Sequence, residues 1–256
     1  MSMLKQRVIT ALILALLFVF VLVAVPPALF PILIMLAVLV AGWEWAKLAS
    51  INSALGKGAF LLILTLLLFL AYYLLQVSGD FNRQLSYQIC LFALALWAVI
   101  LLWIQGYPSS AILWANSPII ICMGLIILTT TWIAFTAIFL YDNGQWLLGL
   151  AILVVVLADL GGYFVGNLFG RHKLAELVSP GKTREGFVGG LVLQLFLILF
   201  LKMVMPGLSV VDLAILIIPV ALASVVGDLF ESMLKRHSGV KDSSSLLPGH
   251  GGVLDR

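Results

Sequence analysis

AILVVVLADLGGYFVGNLFG, residues 151–170, belongs to an apolar run long enough to cross a bilayer, and it carries one carboxylate, Asp159, inside it. Lipid offers a backbone no hydrogen-bond partners, so such a run satisfies its own amides only as a helix. At about 1.5 Å of rise per residue, Asp159 lies about 13 Å from the C-terminal end of the run, where a charge must face a cavity or a partner. Asp159, Gly162, Tyr163 and Gly166 share one helical face. Gly162, Gly166 and Gly170 form a small-xxx-small seam suited to close packing against a second helix.

The same reading extends along the chain. Apolar runs occupy residues 8–25, 28–49, 58–77, 87–104, 118–140, 146–168, 188–205 and 212–230, and the whole chain is 63% hydrophobic and 10% charged. A soluble domain carries about 25% charged residues, so the bilayer is the solvent for most of this surface. The first run, preceded by Lys5 and Arg7, exceeds a signal-peptide core and reads as an uncleaved span, with Pro26-Pro27 reversing the chain into the second. Trp43, Glu44, Trp45 and Lys47 end that second run, and the tryptophans read as an interfacial belt. With the N-terminus inside, twelve Lys and Arg residues fall on the inner side and only Arg83 and Lys202 on the outer, a strong positive-inside bias. Cys90 and Cys122 read as buried core thiols, since no zinc or redox spacing accompanies them. The expected fold is an all-α, polytopic integral membrane protein of about eight transmembrane helices forming one integral domain.

Charge is unevenly spread: residues 1–158 hold 8 of the 25 formal charges and residues 159–256 hold 17. Residues 1–145 therefore read as scaffold and 146–256 as the working half, with cytoplasmic loops at 169–187 and 231–256. In the first loop, GKT at 181–183 invites a P-loop reading, but the required glycine five positions earlier is Glu176 and no strand precedes it. What remains is Lys182 and Arg184, with Ser179 and Thr183, ahead of a helix starting near Glu185, a setting for an anionic phosphate. Downstream, Ser224, Asp228 and Glu231 share a helical face, and the polar tail SMLKRHSGVKDSSSLLPGHGGVLDR, residues 232–256, gathers Lys235, Arg236, Lys241, Asp242, His250, Asp255 and Arg256. Carboxylates for a divalent cation and basic groups for phosphates suit phosphoryl or nucleotidyl transfer.

At these residues the chain resembles the CDP-diacylglycerol synthases, or phosphatidate cytidylyltransferases. Their C-terminal signature is matched at Ser232, Lys235, Arg236, Lys241, Asp242, Ser244, Leu247, Pro248, His250, Gly251, Gly252, Asp255 and Arg256. ADLGGYFVGNLFG, VSPGKTREG and GDLFES also look like the family, although Gly181 stands where the family loop carries a lysine. The resemblance implies cytidylyl transfer from CTP to phosphatidate, with Mg²⁺ (and room for a second cation) held by Asp228 and Asp255. Asp242, Lys241, His250 and Arg256 join them as catalytic residues. Ser179, Lys182, Thr183, Arg184, Glu185, Lys235, Arg236 and Asp159 are the implied substrate-binding set. The expected partners are CTP, phosphatidate and membrane lipid, with a homodimer allowed and nucleic acid not expected. The expected location is the bacterial inner membrane with both polar loops cytoplasmic.

Family members continue past this chain's last residue with another Asp and an apolar span. A ninth helix is therefore expected downstream, and the tail from Ser232, tethered at one end, is expected to sample many conformations and to leave transfer weak. An alternative is a transporter or flippase for an anionic lipid or metabolite, permitted by Asp159 and the glycine-rich helices. Against it, the polar residues gather at one membrane edge and no repeat is visible. The DG-x2-AR spacing of CDP-alcohol phosphotransferases is absent.

Overall fold

In a computed structural model, which describes residues 3–247, 249 and 251–255, with nothing drawn from the side chains of residues 3–8, the chain is built from helices and one small hairpin. The helices are α1 (Met3–Ala24), α2 (Phe30–Leu48), α3 (Ala54–Leu74), α4 (Arg83–Gln105), α5 (Ala111–Trp114), α6 (Ser117–Phe139), α7 (Gly144–Phe169), α8 (Arg184–Val204) and α9 (Val210–His237). The hairpin pairs β1 (Lys173–Ala175) with β2 (Ser179–Thr183). Among the described residues, seven helices are long and apolar enough to cross a membrane, and the apolar part of α1, Ile9–Ala24, is a shorter eighth. Leu16, Phe92, Phe200 and Met203 are among the many large apolar side chains left exposed, a surface that suits lipid and not water. The protein is an all-α, multi-pass membrane protein.

Local signals explain the helix starts. Ser53 Oγ accepts from Gly56 N at 3.0 Å to cap α3. Asn116 Oδ1 accepts from Ile119 N at 3.0 Å to cap α6, with Pro118 where its missing N–H costs nothing. The Pro26-Pro27 reversal is present: Leu29 and Phe30 donate to Pro26 O before α2 begins.

The chain divides into two compact units. The first comprises Met1–Leu102, Ser109–Leu148 and Leu234–Arg256, and the second Trp103–Pro108 and Gly149–Met233. In the first unit Phe30 stacks on Phe139 with centroids 3.7 Å apart, beside Leu22 and Leu148. Trp45 departs from expectation. Trp43 is exposed, with Lys57 over its ring, but Trp45 is buried against Gly124 and donates to Ile120 O at 2.9 Å. The absent side chain at Gly124 makes room for the indole. Cys122 also departs: it is exposed on α6, and Cys90 is only partly buried.

In the second unit α7, α8 and α9 enclose Leu150, Val154, Ala158, Leu197, Ile198, Leu213, Ile217 and Ala221. The expected glycine seam exists: a Cβ on Gly186 of α8 would lie 2.6 Å from Gly162 O and 3.2 Å from Gly166 Cα, and Gly161 adds a further close approach. A Cβ on Gly161 would lie 2.7 Å from Gly189 O and 2.9 Å from Gly190 Cα, whereas one on Gly162 would have room. Both obstacles at Gly161 are backbone and cannot turn aside. Gly161→Val is therefore expected to destabilise the protein in detergent by about 1–3 kcal/mol, the usual cost of overpacking. Gly207→Ala, where nothing lies within 4 Å, is the matched control in the same thermal unfolding series.

The hairpin corrects the reading of residues 169–187 as loop. Lys173 pairs with Thr183 and Ala175 with Ser179, and Lys173 Nζ donates to Pro180 O at 2.7 Å. Strands of three and five residues are too short to leave a periodic signal.

Candidate functional site

In the second unit a cavity of about 340 Å³ opens between α7, the hairpin, α8 and α9. Its walls are apolar, including Leu174, Phe187, Leu191 and Val225, and its polar groups are Asp159, Tyr163, Lys182, Thr183 and Asp228. Lys182 Nζ forms an ion pair with Asp228 Oδ2, with the two side chains 26% and 44% exposed. Asp159 is exposed and lines the same cavity, as a carboxylate at that depth requires.

The strand-to-helix junction holds Lys182 in place. Thr183 ends β2 and caps α8, its buried Oγ1 accepting from Gly186 N at 3.1 Å. Arg184 N donates to His172 O at 2.8 Å. The Glu185 carboxylate reaches back to the start of the hairpin, accepting from Arg171 N at 3.1 Å and meeting His172 Nδ1 at 2.6 Å. Ser179 begins β2, at its pairing with Ala175. Ser179, Lys182, Thr183, Arg184 and Glu185 thus all lie on the hairpin and the first turn of α8, with Lys182 and Thr183 at the cavity wall.

The tail is a second construction, within the first unit. Lys235 and Arg236 lie on the last turn of α9, which runs seven residues beyond the expected span end. Lys235 Nζ meets Asp255 Oδ1 at 2.6 Å, with side chains 15% and 5% exposed. Asp255 Oδ2 accepts from Ser243 N at 3.0 Å, Ser243 Oγ at 2.9 Å and Gly252 N at 2.7 Å. Lys241 and Asp242 are exposed beside this cluster, and His250 and Arg256 lie outside the described residues. The tail is not loose: α2 supplies Glu44, which binds residues 243, 244, 253 and 254. The sequence reading gives Glu44 no partner and so misses this. A carboxylate inside an apolar run signals a need for donors but not where in the chain they lie.

The two carboxylates expected as metal ligands therefore belong to different units, and each holds an ammonium. Asp228, half-exposed at a cavity it shares with Asp159, fits Mg²⁺, which takes one or two carboxylates and completes its shell with phosphate oxygens and water. A cage built from protein alone does not fit, since among the described residues no three His, Cys, Asp or Glu side chains come together. At Asp255 a cation has to displace Lys235.

A model of the cytidylyltransferase family matches residues 5–256. A phosphatidate cytidylyltransferase of Pseudomonas aeruginosa is 40% identical over 261 residues, covering 99% of this chain and 92% of its own. One from Haemophilus influenzae is 36% identical over 273 residues, covering 99% and 93%. One from Staphylococcus haemolyticus is 50% identical over 107 residues, covering 41% of each chain.

Proposed function

The chain belongs to the cytidylyltransferase family, and on that premise we propose that it transfers a cytidylyl group from CTP to phosphatidate, giving CDP-diacylglycerol and pyrophosphate. The observation that carries the reading to a site is the apolar-walled cavity ending at Lys182, Asp228 and Asp159. Such a cavity suits a substrate with a lipid body and a phosphate head. In the reaction a phosphate oxygen of the lipid attacks the α-phosphorus of CTP, the bond to the β-phosphate breaks, and pyrophosphate leaves with that electron pair. Both reactants are anionic, so the protein's chief task is to offset charge and hold the two phosphates in line. Lys182 and Arg184, at the junction of β2 and α8, are the proposed phosphate clamp. Ser179, Thr183 and Glu185 hold that junction in shape.

Mg²⁺ belongs to this reading, with Asp228 as its proposed carboxylate; Asp255 is carried as a ligand on the family signature alone. When bound, the ion neutralises phosphate charge. Arg236, Lys241, Asp242, His250 and Arg256 are proposed for the reaction on the family signature. The family match over residues 5–256 supports treating the chain as one integral domain. Membrane lipid and a homodimer complete the proposed partners. A transporter reading has no observation in its favour.

The assay is incorporation of radiolabelled CTP into lipid by the purified protein, with and without Mg²⁺. Labelling that requires both CTP and phosphatidate is expected, and its absence in well-folded protein refutes the reading.

The same reading places the chain in the bacterial inner membrane with the hairpin and the tail in the cytoplasm, supported by the twelve-to-two basic bias and by an even number of crossings when the shorter α1 is counted with the five long apolar helices that precede the hairpin. Single cysteines at Ser179 and Ser245, in a chain lacking Cys90 and Cys122, are expected to react with an impermeant thiol reagent only after the inner face is opened. Labelling of intact cells overturns this orientation.

A further inference from the structure

Glu44 lies on α2, about two hundred residues from everything its carboxylate holds, and its side chain is 1% exposed. Oε1 accepts from Ser244 Oγ at 2.5 Å and Val253 N at 2.9 Å. Oε2 accepts from Ser243 Oγ at 3.1 Å and Leu254 N at 2.8 Å. A carboxylate has about four acceptor sites, and here the tail offers four donors, one of which, Ser243 Oγ, is shared with Asp255. Two consecutive backbone N–H groups are split between the two oxygens, which fixes the direction in which the chain arrives at residue 255.

The glycines record the same arrangement independently. A Cβ on Gly252 would collide with Ser243 Oγ and with both carboxylate oxygens of Glu44. Gly251 has φ +85°, and a Cβ there would lie 2.5 Å from Asp255 Oδ2. The paired glycines are thus the space into which Glu44 and Asp255 fit. Ser243 joins the two acids: its Oγ lies within hydrogen-bond distance of both, and its one hydrogen serves one at a time.

We infer that Glu44 is a positioning residue of the transfer reaction, setting the orientation of Asp255 by gripping the two residues that precede it. The inference rests on the proposed function, but the grip itself is independent of it. The distinguishing chemistry is that Gln offers one acceptor oxygen where Glu offers two. In Glu44→Gln the serine hydroxyls can turn to suit the amide. One of the two backbone N–H groups cannot, and faces an NH₂ instead.

The test compares full-length wild type, Glu44→Gln, Glu44→Asp and Lys47→Gln in lipid nanodiscs. Lys47 is exposed on the same helix and serves as control. In Glu44→Gln, amide exchange at residues 252–254 is expected to quicken by about tenfold or more, with α2 and α8 unchanged, as expected for one lost hydrogen bond to a charged acceptor. Turnover is expected to fall by about tenfold or more with the KM for CTP within about threefold, the pattern of an interaction needed in the transition state. Glu44→Asp keeps both oxygens and is expected to recover part of the turnover. Unchanged exchange at 252–254 overturns the inference whatever the activity does. So does exchange that rises evenly through the first unit with normal turnover in the folded fraction, which marks a packing role. A wild type with no CTP-dependent labelling refutes the proposed function alone, because the grip is read from exchange.

Discussion

In the Asp228→Asn variant, CTP-dependent lipid labelling is expected to drop by about two to three orders of magnitude, the scale for removing a charged group that acts on the reacting phosphates. Asparagine keeps the size of the side chain, so the cavity and the α7–α8–α9 packing persist and the protein still reaches the membrane. Two roles are open to this carboxylate: ligand for Mg²⁺, or tether for Lys182. A metal titration separates them. If Asp228 is a ligand, Asp228→Asn raises the Mg²⁺ needed for half-maximal rate, whereas Lys182→Gln lowers turnover without that shift. If Asp228 only tethers, both variants behave alike and neither changes the metal requirement. Turnover of Asp228→Asn within about threefold of wild type removes Asp228 from the site altogether, being under about 1 kcal/mol of barrier.

Asp255→Ala is expected to reduce stability by about 3–5 kcal/mol, since it takes from a largely buried ammonium, Lys235, its carboxylate partner. It also deprives Ser243 N and Gly252 N of their acceptor. The measurement is the shift in thermal unfolding in detergent, against wild type and against Lys235→Met/Asp255→Ala. Removing both charges relieves the buried ammonium, so the double variant is expected to regain most of the loss. It is not expected to regain lipid labelling if Asp255 takes part in the reaction. Full stability in Asp255→Ala alone refutes the buried-pair argument.

The spans were legible because hydropathy is local: each run near 20 apolar residues declares itself without knowledge of its neighbours. Asp159 was legible for the same reason, as a charge where charge is costly. Partnerships were not. Lys182 and Asp228 stood in separate motifs with nothing to join them, and Glu44 is separated from Leu254 by 210 positions. The tail was expected to be loose because it is rich in Ser and Gly and was read as tethered at one end only. The order comes from α2, through donors that composition alone does not reveal as donors to one carboxylate. The hairpin escaped notice because Pro180 and Gly181 mark only a break in helix, and the strands that fill it are shorter than any detectable period.

The distance along the chain between Glu44 and its donors also sets a schedule. Ser243 follows Glu44 by 199 residues, which at about 5–20 residues per second is about 10–40 s of synthesis. Through that interval α2 is already made, and its carboxylate must be hydrated at the helix end or wait outside the bilayer core. The first unit therefore closes late: its first helices are made about 200 residues before the tail that binds them.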